Sequence, residues 1–442
     1  MRLGKFRSVL AAVVVGALVF GGCSGSAGGG SQQQQQQDLQ YSYWGSGERI
    51  QRTQAVMDLF MKANPDIKIL GQPREFVAHW QQLTIQGAAK GAPCIPQMQN
   101  RYMGDYSSRN QLRALDDLVA SGKINVKGIP EAVLATGRGA DGKLYNAVTG
   151  VYFYVQFYNA DVVTAAGMKP PTNEMNWQQW EAWLRELAKK LPASMKAADL
   201  FTATDFSGAF FNYVYSNGQE VFTKDGKLGF DEKILADWWR MWDQLRKDGV
   251  STTAQQLGER DPALEQSPLA TAKVAWNAQP QNQLTQVNNV AKANKTGTFH
   301  MVKLPNGTAG AGETFGSNGL SISVSCSDAS VASAAKFVDF FVNDPEAAKA
   351  YGSTNGAVSK LELQTAQISD PSTDPSLKEG LELLQTVVTK FDPKGYVFPA
   401  GGRAASDAFT RGATSVLLGQ ATPEAASKQF IAEANAAMAS TR

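Results

Sequence analysis

The chain has 442 residues, 42 Lys and Arg against 40 Asp and Glu, and a formal net charge of +2. No Lys/Arg cluster stands out, which argues against nucleic acid or an acidic membrane face as a partner. With only His79 and His300 for imidazole and three cysteines, a zinc site built from His and Cys is not expected, and no other metal or cofactor is called for.

Arg2, Lys5 and Arg7 open the chain, an apolar run follows from Val9 to Phe20, and Gly21-Gly22-Cys23 closes it. A positive start, a short apolar core and a small-residue cleavage site describe a secretory signal over residues 1–22, too short to span a bilayer. Cys23 directly after two glycines resembles the bacterial lipobox, with Phe20 where leucine is usual. That resemblance implies a lipidated Cys23 as the mature N-terminus; an ordinary signal peptide with an incidental cysteine is the alternative. Residues 23–37 then carry Gly, Ser and the glutamine run Gln32 to Gln37, a flexible tether reaching about 20 Å. Removing the three basic residues of the leader from the 42 leaves 39 against 40 acidic ones, so the mature protein is near neutral. What remains, about 400 residues, is enough for two domains with their own cores. No second long apolar segment follows. In an oxidising compartment the remaining cysteines, Cys94 and Cys326, either pair or stay buried as small hydrophobes, and pairing is preferred.

From Leu39 the pattern alternates, with Leu39, Tyr41 and Tyr43 on one face, and breaks at Trp44-Gly45-Ser46-Gly47. Ile50, Thr53, Met57, Phe60 and Met61 then share a helix face that Asn64-Pro65 stops, before Ile67 and Ile69 resume alternation. Strand, helix, strand at this spacing predicts a βαβ unit with parallel strands. Ligands of open parallel sheets bind at the carboxyl ends of strands, which makes Trp44-Gly45-Ser46 a candidate site by topology alone. Trp177, Trp180, Leu184, Leu187 and Leu191 predict a helix capped by Asn176 with Gln179 and ended by Pro192. Leu235, Trp238, Trp242 and Leu245 predict a second, with Arg246 and Lys247 in its last turn and Gly249 closing it. Val331, Ala335, Val338 and Val342 predict a third. The spacing assigns Trp180, Trp183, Trp239 and Trp242 to core. Tyr145 to Tyr158 reads as an extended segment bent at Gly150, and Phe315 to Val324 as another. Two long extended segments far apart in sequence suit the crossing strands of a hinge between two lobes.

The order of these features resembles the extracellular solute-binding proteins of ABC importers, family 1, which includes maltose-binding protein. The matching pieces are Tyr43-Trp44-Gly45, Leu112 to Leu118, Gly142-Lys143-Leu144-Tyr145, Phe157 to Asp161, Pro171-Thr172 with the Trp177 helix, Asn217 to Glu220, Asp225 to Leu228 and Lys273-Val274-Ala275. No single piece is specific; their order and spacing together are. Pro93-Cys94-Ile95-Pro96 departs from the family's Pro-Asp-Val-Val and suggests a local rearrangement. In family topology that strand shares a lobe with the one ending at Cys326, so a disulfide there would not lock the hinge. The resemblance implies an α/β, two-lobed, periplasmic-binding-protein-like (type II) fold. Its N-lobe would comprise residues 38–150 and 320–360, and its C-lobe 155–315 and 361–442, with a ligand cleft between them.

A sugar presents hydroxyls and flat apolar C–H faces, so a matching cleft needs planar hydrogen-bonding groups and aromatic plates. The predicted cleft edges supply both. The N-lobe offers Trp44, Ser46, Glu48, Asn100, Tyr102 and Asp105, and the first hinge Thr149, Tyr152 and Tyr154. The C-lobe offers Asp205, Phe206, Asn212, Trp276, Asn277, Gln279 and Gln281. The second hinge offers Phe315, Ser317 and Asn318, and the late loop Tyr396, Phe398 and Arg403. Trp44 and Trp276-Asn277 lead this set, with rim packing on their own lobe as the alternative. Tyr152 and Tyr154 share a strand face that core packing would equally explain, and Glu48 equally suits a helix first turn. The function implied is capture of a carbohydrate, an oligosaccharide by preference, through lobe closure. A monomer, held at the outer face of the cytoplasmic membrane by its lipid anchor alone, would hand the sugar to the transmembrane permease, driven by a separate ATPase. The rivals are a secreted glycoside hydrolase, a binder of a peptide, polyamine or anion, and an adhesion or sensor module. A hydrolase needs two opposed carboxylates, and no catalytic motif, nucleophile elbow or Walker or Rossmann glycine loop is present.

Overall fold

A computed structural model describes residues 37–45, 47–260 and 264–440; the leader, Cys23, most of the tether and Ser46 lie outside the described residues. Gln37, read as the end of the tether, instead opens the first strand, β1 (Gln37–Trp44), where its side chain bonds Ser330 and the Ala329 carbonyl. Helix α1 (Gly47–Ala63) buries Thr53, Val56, Met57 and Phe60. Beyond it, the Asn64 amide donates to the Phe60 carbonyl, and β2 (Ile67–Arg74) begins. β1 and β2 run parallel from Gln37 opposite Ile67 to Trp44 opposite Arg74, the expected βαβ unit. β2 is an edge strand, where Pro73 costs no ladder bond.

Helix α2 (Phe76–Ala88) leads to β3 (Ile95–Gln99), which lies beside β1, and then to helix α3 (Met103–Ser108). The remaining strands are β4 (Ala147–Asn159), β5 (Lys196–Ala198), β6 (Val274–Pro280), β7 (Phe299–Lys303), β8 (Thr314–Leu320), β9 (Ala357–Val358) and β10 (Lys394–Gly395). Their order is β2-β1-β3-β8-β4-β6-β5, with β7 and β9 on β4 and β10 on β8. Cys94, just before β3, is joined in a disulfide to Cys326, six residues beyond β8.

β4 organises the molecule. Its first half, Ala147 to Phe153, pairs with β8; its second, from Tyr154, pairs with β6 and β7. The ladder is irregular between Val148 and Gly150, where a Cβ on Gly150 would stand 2.2 Å from the Asn355 carbonyl oxygen. The bend read at that glycine is a close backbone approach that no larger residue allows. β4 and β8 therefore pass between two α/β halves, as expected of the two extended segments.

Each half has its own aromatic core. In the first, Phe337 of helix Asp328–Asn343 meets Phe60 of α1 edge-on at 5.0 Å. In the second, helix Trp177–Ala188, with its capping box at Asn176 and Gln179, brings Trp180 to 5.0 Å from Trp276. Helix Glu232–Lys247 adds Trp238, Trp239 and Trp242, all fully buried. Helices Gly402–Leu417 and Pro423–Ala439 close this core with Phe409 and Phe430. Helix Trp177–Ala188 ends before Leu191, which packs at the core margin.

Candidate functional site

The carboxyl ends of β1, β2 and β3 come together at Trp44, Arg74 and Gln99. The helices that follow β2 and β3 start at that edge. α2 presents Phe76 and Trp80, one turn apart, and the chain entering α3 presents Tyr102 and α3 itself Tyr106. The Trp80 and Tyr102 rings stack at 3.6 Å and 6°, with Trp44 behind Trp80 at 5.5 Å. Phe76, Trp80, Tyr102 and Tyr106 line a cavity of about 420 Å³ together with Val77, Gln81, Thr84, Arg101, Asp105, Arg109, Gln111 and Arg403.

Arg403 reaches this cavity from the opposite half, at the start of helix Gly402–Leu417. The chain before it is fastened to α3. The Asn100 amide donates to the Tyr396 carbonyl at 2.8 Å, and the Phe398 N–H donates to the Asn100 carbonyl at 3.2 Å. The N–H of Gly401, in the left-handed region at φ 82°, donates to Asp105 at 2.9 Å. A Cβ on Gly104 would stand 2.2 Å from the Phe398 carbonyl oxygen, so glycine is what lets the two segments touch. The cavity therefore opens where the two halves meet.

Beneath it lies a polar cluster. Arg101 donates from Nε to Gln99 at 3.1 Å. Burial strips water from the guanidinium and by itself would lower its pKa. Tyr152, Tyr154, Asp205 and Tyr396 outweigh that and hold it above the ordinary arginine value. Tyr154 donates to Asp205 at 2.9 Å, Ser207 donates to the same oxygen, and Tyr152 donates to Asn100 at 3.1 Å. Burial pushes the Tyr106 phenol up to about 12 while its hydroxyl shares a hydrogen bond with Thr84. Both remain neutral partners at physiological pH.

Of the residues singled out in the sequence, Tyr102, Asp105 and Arg403 line the cavity. Asn100, Tyr152, Tyr154, Asp205 and Tyr396 form the layer beneath it. Trp44 is buried and backs the aromatic wall without reaching the cavity. The structure places Trp276 and Asn277 away from it altogether. β6 is covered on both sides, so the Trp276 ring is fully buried with its indole N–H on Gln156, and Asn277 bonds Asp199 and Thr202. Gln279 is buried in the ladder opposite Val155, and Gln281 braces the backbone of Val151 and Phe153. Phe206, Phe315 and Phe398 are core. Thr149, Ser317 and Asn318 serve the β4–β8 crossing, where Thr149 donates to the Asn318 carbonyl and Asn318 to that of Asn355. Asn212 is buried, and neither amide atom has a hydrogen-bond partner among the described residues. Glu48 pairs with Arg52 at 2.8 Å on α1, as a first-turn acid would.

Phe76, Trp80, Arg101, Tyr106 and Arg109 were not anticipated. The strand-end rule that picked out Trp44 applies equally to β2, whose end is followed at once by Phe76 and, one turn on, by Trp80. Arg101 sits between Asn100 and Tyr102, both of which were singled out.

Residues 55–379 match the family described as bacterial extracellular solute-binding protein. Among solved structures, an extracellular solute-binding protein family 1 from Alicyclobacillus acidocaldarius is 24% identical, with a TM-score of 0.68 over 91% of this chain and 98% of that one. An ABC substrate-binding protein from Listeria monocytogenes, in complex with cycloalternan, is 20% identical, with a TM-score of 0.74 over 91% and 99%. A periplasmic oligogalacturonide-binding protein from Yersinia enterocolitica, in complex with saturated digalacturonic acid, is 16% identical, with a TM-score of 0.75 over 91% and 99%. These likenesses establish the two-lobed fold.

Proposed function

This chain belongs to the bacterial extracellular solute-binding proteins, and from that premise we propose that it captures a carbohydrate between its lobes and delivers it to an ABC permease. The observation that carries the reading is the stacked Trp80–Tyr102 wall beside the guanidinium and amide groups of a cavity of about 420 Å³ where the lobes meet. Aromatic plates take the C–H faces of a sugar ring, and planar donors take its hydroxyls. Structural relatives with bound saccharides support the same chemistry. The ligand-binding set is Trp80, Arg101, Tyr102, Asp105 and Arg403, with Asn100, Tyr152, Tyr154, Asp205 and Tyr396 as its floor.

The lobes divide near β4 and β8, residues 38–150 and 320–360 against 155–315 and 361–442. The leader at 1–22 exports the chain, and Cys23 anchors it by lipid to the outer face of the cytoplasmic membrane, where it works as a monomer. None of the helices among the described residues is long and apolar enough to cross a membrane. The protein binds its sugar without altering it. Among the described residues lining the cavity Asp105 is the one carboxylate, and it already accepts the Gly401 N–H, whereas a glycoside hydrolase needs an opposed pair.

A melting-temperature screen of the purified protein against mono- and oligosaccharides tests the reading. A saccharide at a hundred times its Kd adds about 2.7 kcal/mol to folding, a rise of a few degrees. Recovery of the sugar unchanged confirms binding without catalysis; stabilisation by peptides or polyamines and by no saccharide would overturn it.

A further inference from the structure

The charge balance of the cavity identifies the solute more narrowly, an inference that rests on the carbohydrate reading above. Three guanidinium groups, Arg101, Arg109 and Arg403, line it against one carboxylate, Asp105. Guanidinium has donors only and cannot shed its charge, so it asks for an acceptor, and an anionic one above all. Arg101 lies deepest. Its Nε is spent on Gln99; Asp205 acts on its charge without a hydrogen bond between them and accepts from both Tyr154 and Ser207 at its Oδ2. Arg403 stands at the rim, 5.2 Å over the Tyr102 ring, and shares its charge with Asp407 at 3.4 Å. Asp105 makes no ion pair with Arg101 and uses its Oδ1 to accept the Gly401 N–H. A half-buried guanidinium whose fork touches no acceptor leaves desolvated donors unmet, and a ligand carboxylate placed against that planar fork meets them with two charge-assisted hydrogen bonds.

We propose that the solute is an acidic saccharide, a sugar bearing a carboxylate or sulfate, whose anionic group is received by Arg101 while its ring lies against Tyr102, the ring that Trp80 backs by stacking. Arg403 closes over the same ligand from the other lobe. A neutral sugar could satisfy the aromatic wall, but it would offer the Arg101 fork only hydroxyl oxygens, without the charge that strengthens the contact.

The test is a calorimetric titration of the purified protein with matched sets: hexuronic acids and their di- and trisaccharides, sulfated sugars, and the neutral counterparts of each. At least one acidic member binds about 10- to 100-fold tighter than its neutral counterpart, the range of a charge-assisted contact, and its affinity falls with added salt. Carboxylated and sulfated arms tell the two anion sources apart. Arg101→Gln removes most of that preference, and Arg101→Lys restores part of it. Should Arg101→Gln fail to fold, Arg403→Gln at the rim reads the same preference with a smaller loss. Neutral sugars binding as tightly as acidic ones would overturn the inference and leave the carbohydrate reading intact. Binding by no saccharide in any arm would overturn both. An acidic preference untouched by Arg101→Gln and Arg101→Lys would also overturn the assignment.

Discussion

His79 shows how a single side chain behind the site is held by two bonds and one charge. Its Nε2 faces the Gln97 carbonyl at 3.2 Å, which can only accept, so the proton sits on Nε2 and Nδ1 accepts from the Ser42 hydroxyl at 3.3 Å. Burial pulls its pKa down from 6.5 to about 4; the Gln97 bond opposes the shift and the Arg74 charge adds to it. The unfolded chain takes up a proton below pH 6.5 that the folded chain refuses until about pH 4. Stability from this group is thus full above pH 6.5 and drains as pH falls through that window, by at most about 3 kcal/mol. His79→Gln is expected to flatten the urea-denaturation profile between those values; a slope equal to that of the natural protein would refute the assignment. Tryptophans give a sharper contrast. Trp80→Ala is expected to weaken saccharide binding at least tenfold, or about 1.4 kcal/mol. Trp276→Phe, which orphans the Gln156 acceptor, should cost about 1–3 kcal/mol of stability with affinity unchanged. Trp80 sits one turn into α2 and Trp276 inside β6, and local pattern does not separate them. What does is whether the strand beneath has neighbours on both faces, which is a property of the assembled sheet.

At the scale of elements, legibility follows length. The Trp177, Glu232 and Asp328 helices carry enough turns for a 3.6-residue stripe to show, and Asn176 with Gln179 marks a start that the structure confirms as a capping box. Asn176→Ala should therefore cost about 1 kcal/mol, read as a lowered denaturation midpoint. β4 and β8 were legible as long extended runs broken by glycine. β5, β9 and β10 have two or three residues each, too few for any period, and they exist only because longer neighbours offer them an edge. The disulfide was legible from the cysteine count, but its consequence is topological. It ties the entry of β3 to the chain leaving β8, two strands already paired from Gln97 opposite Leu320. Replacing both cysteines by serine should cost about 2–5 kcal/mol of stability. Because both cysteines lie in one lobe, saccharide affinity should stay within twofold; a large loss would mean the bridge shapes the site.

For the whole molecule, the question is what two lobes joined at several points can do. β4 and β8 cross side by side, and a third passage, from β10 through Tyr396 to Gly401, crosses beside them before entering the Gly402–Leu417 helix. Three adjacent passages resist sliding and leave bending about β4 and β8 as the soft motion. A ligand gripped by Arg101 and Tyr102 on one lobe and Arg403 on the other gains its second set of contacts only when the lobes are close. It therefore has higher affinity for the closed state and shifts the population toward it. Gly104 gives a handle on that equilibrium. Its missing Cβ is what admits the backbone of Phe398 and Pro399, and unlike a side-chain tip that backbone cannot swing aside. Gly104→Ala drives a wedge beside the crossing, and its effect should fall on closure rather than on either core. Affinity should drop by at least about tenfold, equivalent to 1.4 kcal/mol of closing free energy. Small-angle scattering should show the natural protein contracting on saturation with its saccharide and the variant contracting less at the same concentration. Equal dimensions of the natural protein with and without a ligand proven by calorimetry to be bound would rule out closure as the means of capture.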